Sequence, residues 1–148
     1  MASEKQAGAW AIIYCPESHS LLFGKRSLTV NKPGLWNLFG GRVDHGETPH
    51  AALMRELAEE AGLVPDGEQL IHCGSIKGAD IEGMGTIAPL RELDYFFLVA
   101  DRSITVTLNH EHSEYRWFKV KKLPHNMNRP TSIALHIGLI QKVLEPYR

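Results

Sequence analysis

Three glutamates crowd into one short stretch of this chain, and their spacing suggests chemistry. Arg55 to Glu60 reads RELAEE, which puts Glu56, Glu59 and Glu60 at i, i+3 and i+4. On a helix that spacing stacks three carboxylates on one side. Like charges so placed repel by a few tenths of a kcal/mol per exposed pair. A cation among the carboxylates removes that cost, and a set of hard oxygen ligands suits Mg²⁺ or Mn²⁺. Arg55 precedes Glu56 and is placed to hold its carboxylate. Glu47 arrives shortly upstream, and Gly40 and Gly41 let the backbone turn and bring a carbonyl near an ion. A solvated acidic helix face is the ordinary reading of a charge run. The upstream glycines and Glu47 argue against it.

The element that must carry these groups is legible at both ends. Thr48 is a good N-cap and Pro49 suits the first helical position, where its missing N–H costs nothing. The helix should run to Ala61 and stop at Gly62, a natural residue for the left-handed position after a helix. Leu53, Leu57 and Ala61 form one stripe with Met54 and Ala58 beside it, so this side packs inward.

Gly41, Glu47, Arg55-Glu56-Leu57, Glu59-Glu60 and Gly62-Leu63, at these spacings, resemble the box of the Nudix hydrolase family (MutT-like Nudix domains). The resemblance implies one Nudix domain over 1–148 with its box at 41–63. It implies a pyrophosphohydrolase that uses a divalent metal to cleave a nucleoside diphosphate linked to a group X. Metal ligands would be the Gly40 carbonyl, Glu47, Glu56, Glu59 and Glu60. Arg26, at the end of a predicted strand, falls where many members keep a phosphate-binding arginine; a solvated strand end is the other reading. Similar sequences often place a glutamate three residues before a tryptophan, as metal ligand or general base. Glu114, before Trp117, takes that role, with Glu111 as the fallback. Many members have proline before the paired glycines. Phe39 stands there instead, which leaves the ligands alone and alters the floor of the substrate pocket.

The chain's 148 residues suit one domain with a proper core. Hydrophobic residues at 43% and charged ones at 22% are ordinary for a soluble globular protein. A net charge of −1 supplies no field to draw in a nucleic acid polymer. Cys15 and Cys73 lie in apolar, strand-like stretches without metal spacing, so free thiols in a reducing, cytoplasmic setting are expected. The first residues lack an apolar signal-type run and nothing approaches a membrane span. A homodimer is common in the family the chain resembles, and the sequence does not decide it.

Strands are expected over Gly8–Cys15, Leu21–Arg26, Leu35–Phe39, Gln69–Lys77, Arg91–Ala100 and Ser103–Leu108, and in the stretch holding Trp117. Trp36 is a candidate for stacking on a base, although an aromatic in a short strand is more often core. Residues 78–89 read as a long glycine-rich loop, a substrate-side lid whose Asp80 and Glu82 are more naturally solvated than ligating. His110 and His112 are candidate titrating groups near the site. A last helix is expected from Arg129 to about Leu144. This order suits an α/β (α+β) fold, an α/β/α sandwich with a mixed sheet between helices.

In the expected reaction water attacks one phosphorus, with Glu56, Glu59 or Glu114 taking its proton and Arg26 balancing phosphate charge. Gly78, Ala79 and Asp80 match neither the ADP-ribose marker nor the dinucleoside polyphosphate marker. A plain short chain resembles the branch that cleaves (d)NTPs, or modified ones, to the monophosphate and pyrophosphate. A nucleotide sugar or ADP-ribose is the rival substrate. A non-catalytic ligand-sensing or interaction module is the rival class, and such modules tend to lose the glutamates that this chain keeps. An isoprenoid diphosphate isomerase would need a cysteine that neither Cys15 nor Cys73 convincingly supplies.

Overall fold

The computed structural model describes residues 6–77 and 90–148. The expected lid at 78–89, with Asp80 and Glu82, lies outside the described residues. The strands are β1 (Gln6–Cys15), β2 (Ser20–Arg26), β3 (Trp36–Asn37), β4 (Phe39–Val43), β5 (Ile71–Lys77), β6 (Leu90–Val99) and β7 (His112–Lys119). The helices are α1 (Pro49–Ala61), α2 (Arg129–His136) and α3 (Leu139–Val143).

Strand β1 is buried on both faces, which is why it reads as a continuous apolar run. Ala9, Ala11 and Ile13 point to one side with Leu22, Phe39 and Phe96, and there Leu53, Leu57 and Ala61 of α1 cover them. Trp10, Ile12 and Tyr14 point to the other side, where Ile133, Ala134, Ile140 and Leu144 close the second layer. The sheet is mixed: β1 runs parallel to β6 and antiparallel to β2 and β4. Strand β7 adds antiparallel to β2, and β5 antiparallel to β6. This is the α/β/α sandwich expected from the order of elements.

Helix α1 has the predicted ends. The Thr48 hydroxyl accepts the Ala51 N–H at 3.1 Å, and Gly62 takes φ 66° as its N–H returns to the Ala58 carbonyl. Other boundaries differ from expectation. The strand expected over Leu35–Phe39 is two strands: β3 pairs with β2, and β4 carries both glycines along β1. Gly40 and Gly41 therefore sit inside a strand opposite Trp10 and Ala9 rather than at a sharp turn.

The stretch Ser103–Leu108 is not a strand. Its end and the residue that follows instead serve the end of α1: Thr107 N–H donates to the Ala61 carbonyl at 2.8 Å and Asn109 N–H to the Glu60 carbonyl at 3.3 Å. These are carbonyls that a helix C-terminus leaves without internal partners. The closing helix is interrupted because Gly138 adopts φ 80°, which ends α2 and starts α3.

Candidate active site

Strand β4 and helix α1 lie side by side, and the site forms where they meet. Gly40 sits at φ 152°, and a Cβ there would stand 2.1 Å from the Ala9 carbonyl oxygen, so only glycine lets β4 lie this close to β1. A Cβ on Gly41 would stand 2.9 Å from the Glu56 carboxyl carbon. The two glycines thus bring bare backbone against the acidic side of α1. The Gly40 N–H points to Glu60 Oε1 at 3.4 Å.

Arg55 organises the near side. Its Nε and Nη2 donate to the two carboxylate oxygens of Glu47, each at 2.9 Å, a bidentate pair. Its Nη1 donates to Glu56 at 2.9 Å and lies 3.6 Å from Glu59, and Nη2 also reaches the Arg42 carbonyl at 3.1 Å. The Arg55 hydrogen bond, helped by the Asp44 N–H, holds the Glu47 carboxyl down to about 2.

Glu56, Glu60 and Glu111 bring one carboxylate oxygen each to within 4.8 Å of one another. Glu60 is 3% exposed. Burial, then Glu56 beside it, then Glu111, drives its carboxyl far above the usual range, against the Gly40 N–H. Three carboxylates this close, one of them buried and two partly exposed, repel one another, and hard oxygens at this separation fit a divalent ion.

The other expected site residues fall in different places. Glu59 is exposed on α1 beside Arg55, outside the trio. Glu114 lies on β7 between Lys25 at 3.6 Å and Arg116 at 3.2 Å, so the structure brings the fallback Glu111 to the cluster and not Glu114. Trp36 takes the core reading over the stacking one: it is 6% exposed, edge-on to Phe118 and flanked by Lys25 and Arg116, so its faces are taken up by the protein. Phe39 is fully buried under α1 and packs on His112, a core contact rather than an open pocket floor. Arg26 ends β2 across from His112, and the next residue, Ser27, donates its N–H to the Glu111 carbonyl at 2.9 Å. That bond ties the Arg26 loop to the acidic trio.

His112 is the group whose role the sequence left open. It is 6% exposed, its Nδ1 is buried without a partner among the described residues, and a Cβ on Gly24 would meet its ring at 2.6 Å. Burial lowers it to about 4, outweighing Glu111, so it stands as a neutral imidazole behind the site.

The family model for the NUDIX domain matches residues 4–136. The chain belongs to the Nudix family. Among curated Nudix relatives, an oxidized purine nucleoside triphosphate hydrolase of Danio rerio is 34% identical over 109 residues, 74% of this chain and 65% of that protein. An 8-oxo-dGTP diphosphatase of Proteus vulgaris is 33% identical over 63 residues, 43% of this chain and 56% of that one. The chain thus matches less than two thirds of the length of either relative. A MutT NUDIX hydrolase from Burkholderia pseudomallei shares the fold, with TM-score 0.67 and 24% identity over 90% of this chain and 98% of that one. Among the described residues of this Nudix chain, no helix is long and apolar enough to cross a membrane.

Proposed function

We propose that this chain is a divalent-cation-dependent pyrophosphohydrolase. Its substrate would be a nucleoside triphosphate, canonical or oxidised, and the products the nucleoside monophosphate and pyrophosphate. The observation that supports the reading is the trio of Glu56, Glu60 and Glu111, whose carboxylate oxygens lie within 4.8 Å of one another around the buried Glu60. The names of the two curated relatives favour a modified purine nucleotide over a nucleotide sugar.

Glu56, Glu60 and Glu111 would hold Mg²⁺ or Mn²⁺, with Glu47, Glu59 and the Gly40 carbonyl near by. When bound, such an ion neutralises phosphate oxygens and lowers the pKa of water. The chain's own groups do the rest. Arg55 fixes Glu47 and Glu56 through one rigid guanidinium, so the carboxylates do not reorganise as charge develops. A carboxylate of the trio takes the proton of the attacking water. Arg26 faces the phosphates. Burial of Glu60 keeps the far wall dry, which strengthens each charge interaction.

The test is a turnover screen with Mg²⁺ or Mn²⁺ over canonical and oxidised (d)NTPs, ADP-ribose, nucleotide sugars and dinucleoside polyphosphates. One preferred triphosphate, releasing pyrophosphate and silenced in Glu56→Gln, is the expected result. Preference for ADP-ribose or a sugar nucleotide would overturn the substrate class. Silence across the panel, with cation binding intact by calorimetry, would overturn the enzyme reading in favour of a ligand sensor.

A further inference from the structure

The loop after β2 folds back on the arginine that precedes it. Arg26 N–H donates to the Leu35 carbonyl at 2.9 Å and Gly34 N–H to the Arg26 carbonyl at 2.8 Å, which closes residues 26–35 at their base. Inside this closed loop the Arg26 guanidinium meets one residue twice. Its Nε donates to the Asn31 carbonyl at 2.8 Å, and its Nη2 donates to the Asn31 side-chain oxygen. The loop is itself fastened beside the acidic trio: Ser27 donates its N–H to the Glu111 carbonyl at 2.9 Å and its hydroxyl to the His110 carbonyl at 2.7 Å.

A guanidinium is a flat fork with five N–H groups. A clasp on its Nε and Nη2 side fixes the plane and leaves Nη1 and the second Nη2 proton on the free end, a pair that matches two oxygens of a phosphate. An arginine at a half-buried strand end such as this one otherwise loses rotamer freedom when it binds an anion. Holding it in place beforehand removes that cost.

We propose that Asn31 is a positioning residue that orients the Arg26 guanidinium toward the phosphates of the ligand. This rests on the reading of Arg26 as a phosphate-binding group. Asn31 touches no reacting atom; it acts through Arg26. A residue that merely shapes the loop would leave Arg26 mobile and would contribute independently of the arginine's fork.

The test uses the full chain, with Mg²⁺ and inorganic pyrophosphate as the probe in calorimetry. Asn31→Ala should weaken pyrophosphate binding about tenfold, as expected for a lost charge-assisted contact. Arg26→Lys keeps the charge and lacks the fork, so it should lose a similar factor, and Asn31→Ala should cost the Lys variant nothing more. Wild-type affinity in Asn31→Ala, or losses that add in the double variant, would overturn the proposal, as would a wild type that does not bind pyrophosphate. Should the Ala variant fail to fold, nitrogen relaxation of Arg26 Nε–H in the wild type still decides. Order like the backbone is expected, and mobility like that of the exposed Arg102 would overturn the proposal. A chain that turns over no nucleotide and still shows the Asn31 effect would fail the proposed function while bearing out this inference. A chain that turns over nucleotides with no Asn31 effect would do the reverse.

Discussion

Glu56 and Glu60 stand one helical turn apart with carboxylate oxygens within 4.8 Å of each other, yet their surroundings differ. Glu56 has the Arg55 Nη1 at 2.9 Å, while the buried Glu60 has the Gly40 N–H at 3.4 Å. Arg55 is shared between Glu56 and Glu47, whereas Glu60 has no cationic side chain beside it among these contacts and burial holds its proton on. Folding has to place that carboxylate there, and a bound cation gives back what the placement costs.

The first expected outcome follows from this asymmetry. Magnesium at about 100 times its dissociation constant should stabilise the wild type by about 2.7 kcal/mol. For a chain of this size that is a rise of roughly 5–10 °C in melting temperature. Glu60→Gln removes the buried acid and keeps its shape. We expect it to melt no lower than the wild type without metal and to lose the magnesium-dependent rise. Calorimetric melting with and without Mg²⁺ measures both. A full rise in the variant would remove Glu60 from the ligand set.

Arg55 bonds Glu47 through two nitrogens and Glu56 through a third, so its fork matters as well as its charge. Lysine offers one point of charge and cannot hold both carboxylates in one plane. Arg55→Lys should destabilise the fold by about 1–3 kcal/mol, the loss expected for charge-assisted hydrogen bonds. It should also lower kcat by about 10²-fold through misplaced carboxylates. Urea unfolding and steady-state kinetics check the two effects. A lysine variant with wild-type values in both would show that charge alone suffices.

The helix was legible in the sequence because its determinants are local. Thr48, Pro49 and Gly62 mark its ends by rules that involve only neighbouring residues, and the acidic spacing sits between them. The choice between Glu111 and Glu114 was not legible. It depends on the register of β7 against β2, which sets Glu114 opposite Lys25 and leaves Glu111 just before the strand beside Ser27. For Trp36 the sequence favoured core over stacking on a base, and its partner Phe118, far along the chain on β7, was not readable from local pattern. The Ser103–Leu108 stretch has strand-like composition, yet its Thr107 N–H bonds a helix-end carbonyl and its Ile104 N–H a turn carbonyl, and residue pattern does not encode such partners.

The two glycines of β4 should answer differently to alanine. At Gly40 a Cβ would strike the Ala9 carbonyl oxygen at 2.1 Å in a positive-φ conformation, and backbone cannot step aside. Gly40→Ala should cost about 3 kcal/mol or more of stability. At Gly41 the obstacle is the end of the Glu56 side chain at 2.9 Å, which can swing away. Gly41→Ala should therefore fold with a loss of about 1 kcal/mol or less and bind Mg²⁺ at least about tenfold more weakly, because Glu56 is displaced. Urea midpoints together with magnesium titrations separate the two cases. Equal stability losses would contradict the geometry.

Cys73 gives a pH-dependent outcome away from the site. It is partly buried on β5, its thiol donates to the Tyr95 carbonyl at 3.3 Å, and burial pushes it up to about 11 from an ordinary 9.0. The folded chain therefore holds this proton more tightly than the unfolded chain does. Its contribution to stability is fully present below pH 9 and is lost as pH rises through 11. Thiolate is the reactive form, and two pKa units make it about a hundredfold scarcer in the folded chain at pH 8.5. Iodoacetamide labelling read by peptide mass spectrometry should modify Cys73 about a hundredfold more slowly in the native protein than in urea. Native labelling as fast as unfolded labelling would mean that this thiol is neither buried nor bonded as the structure has it.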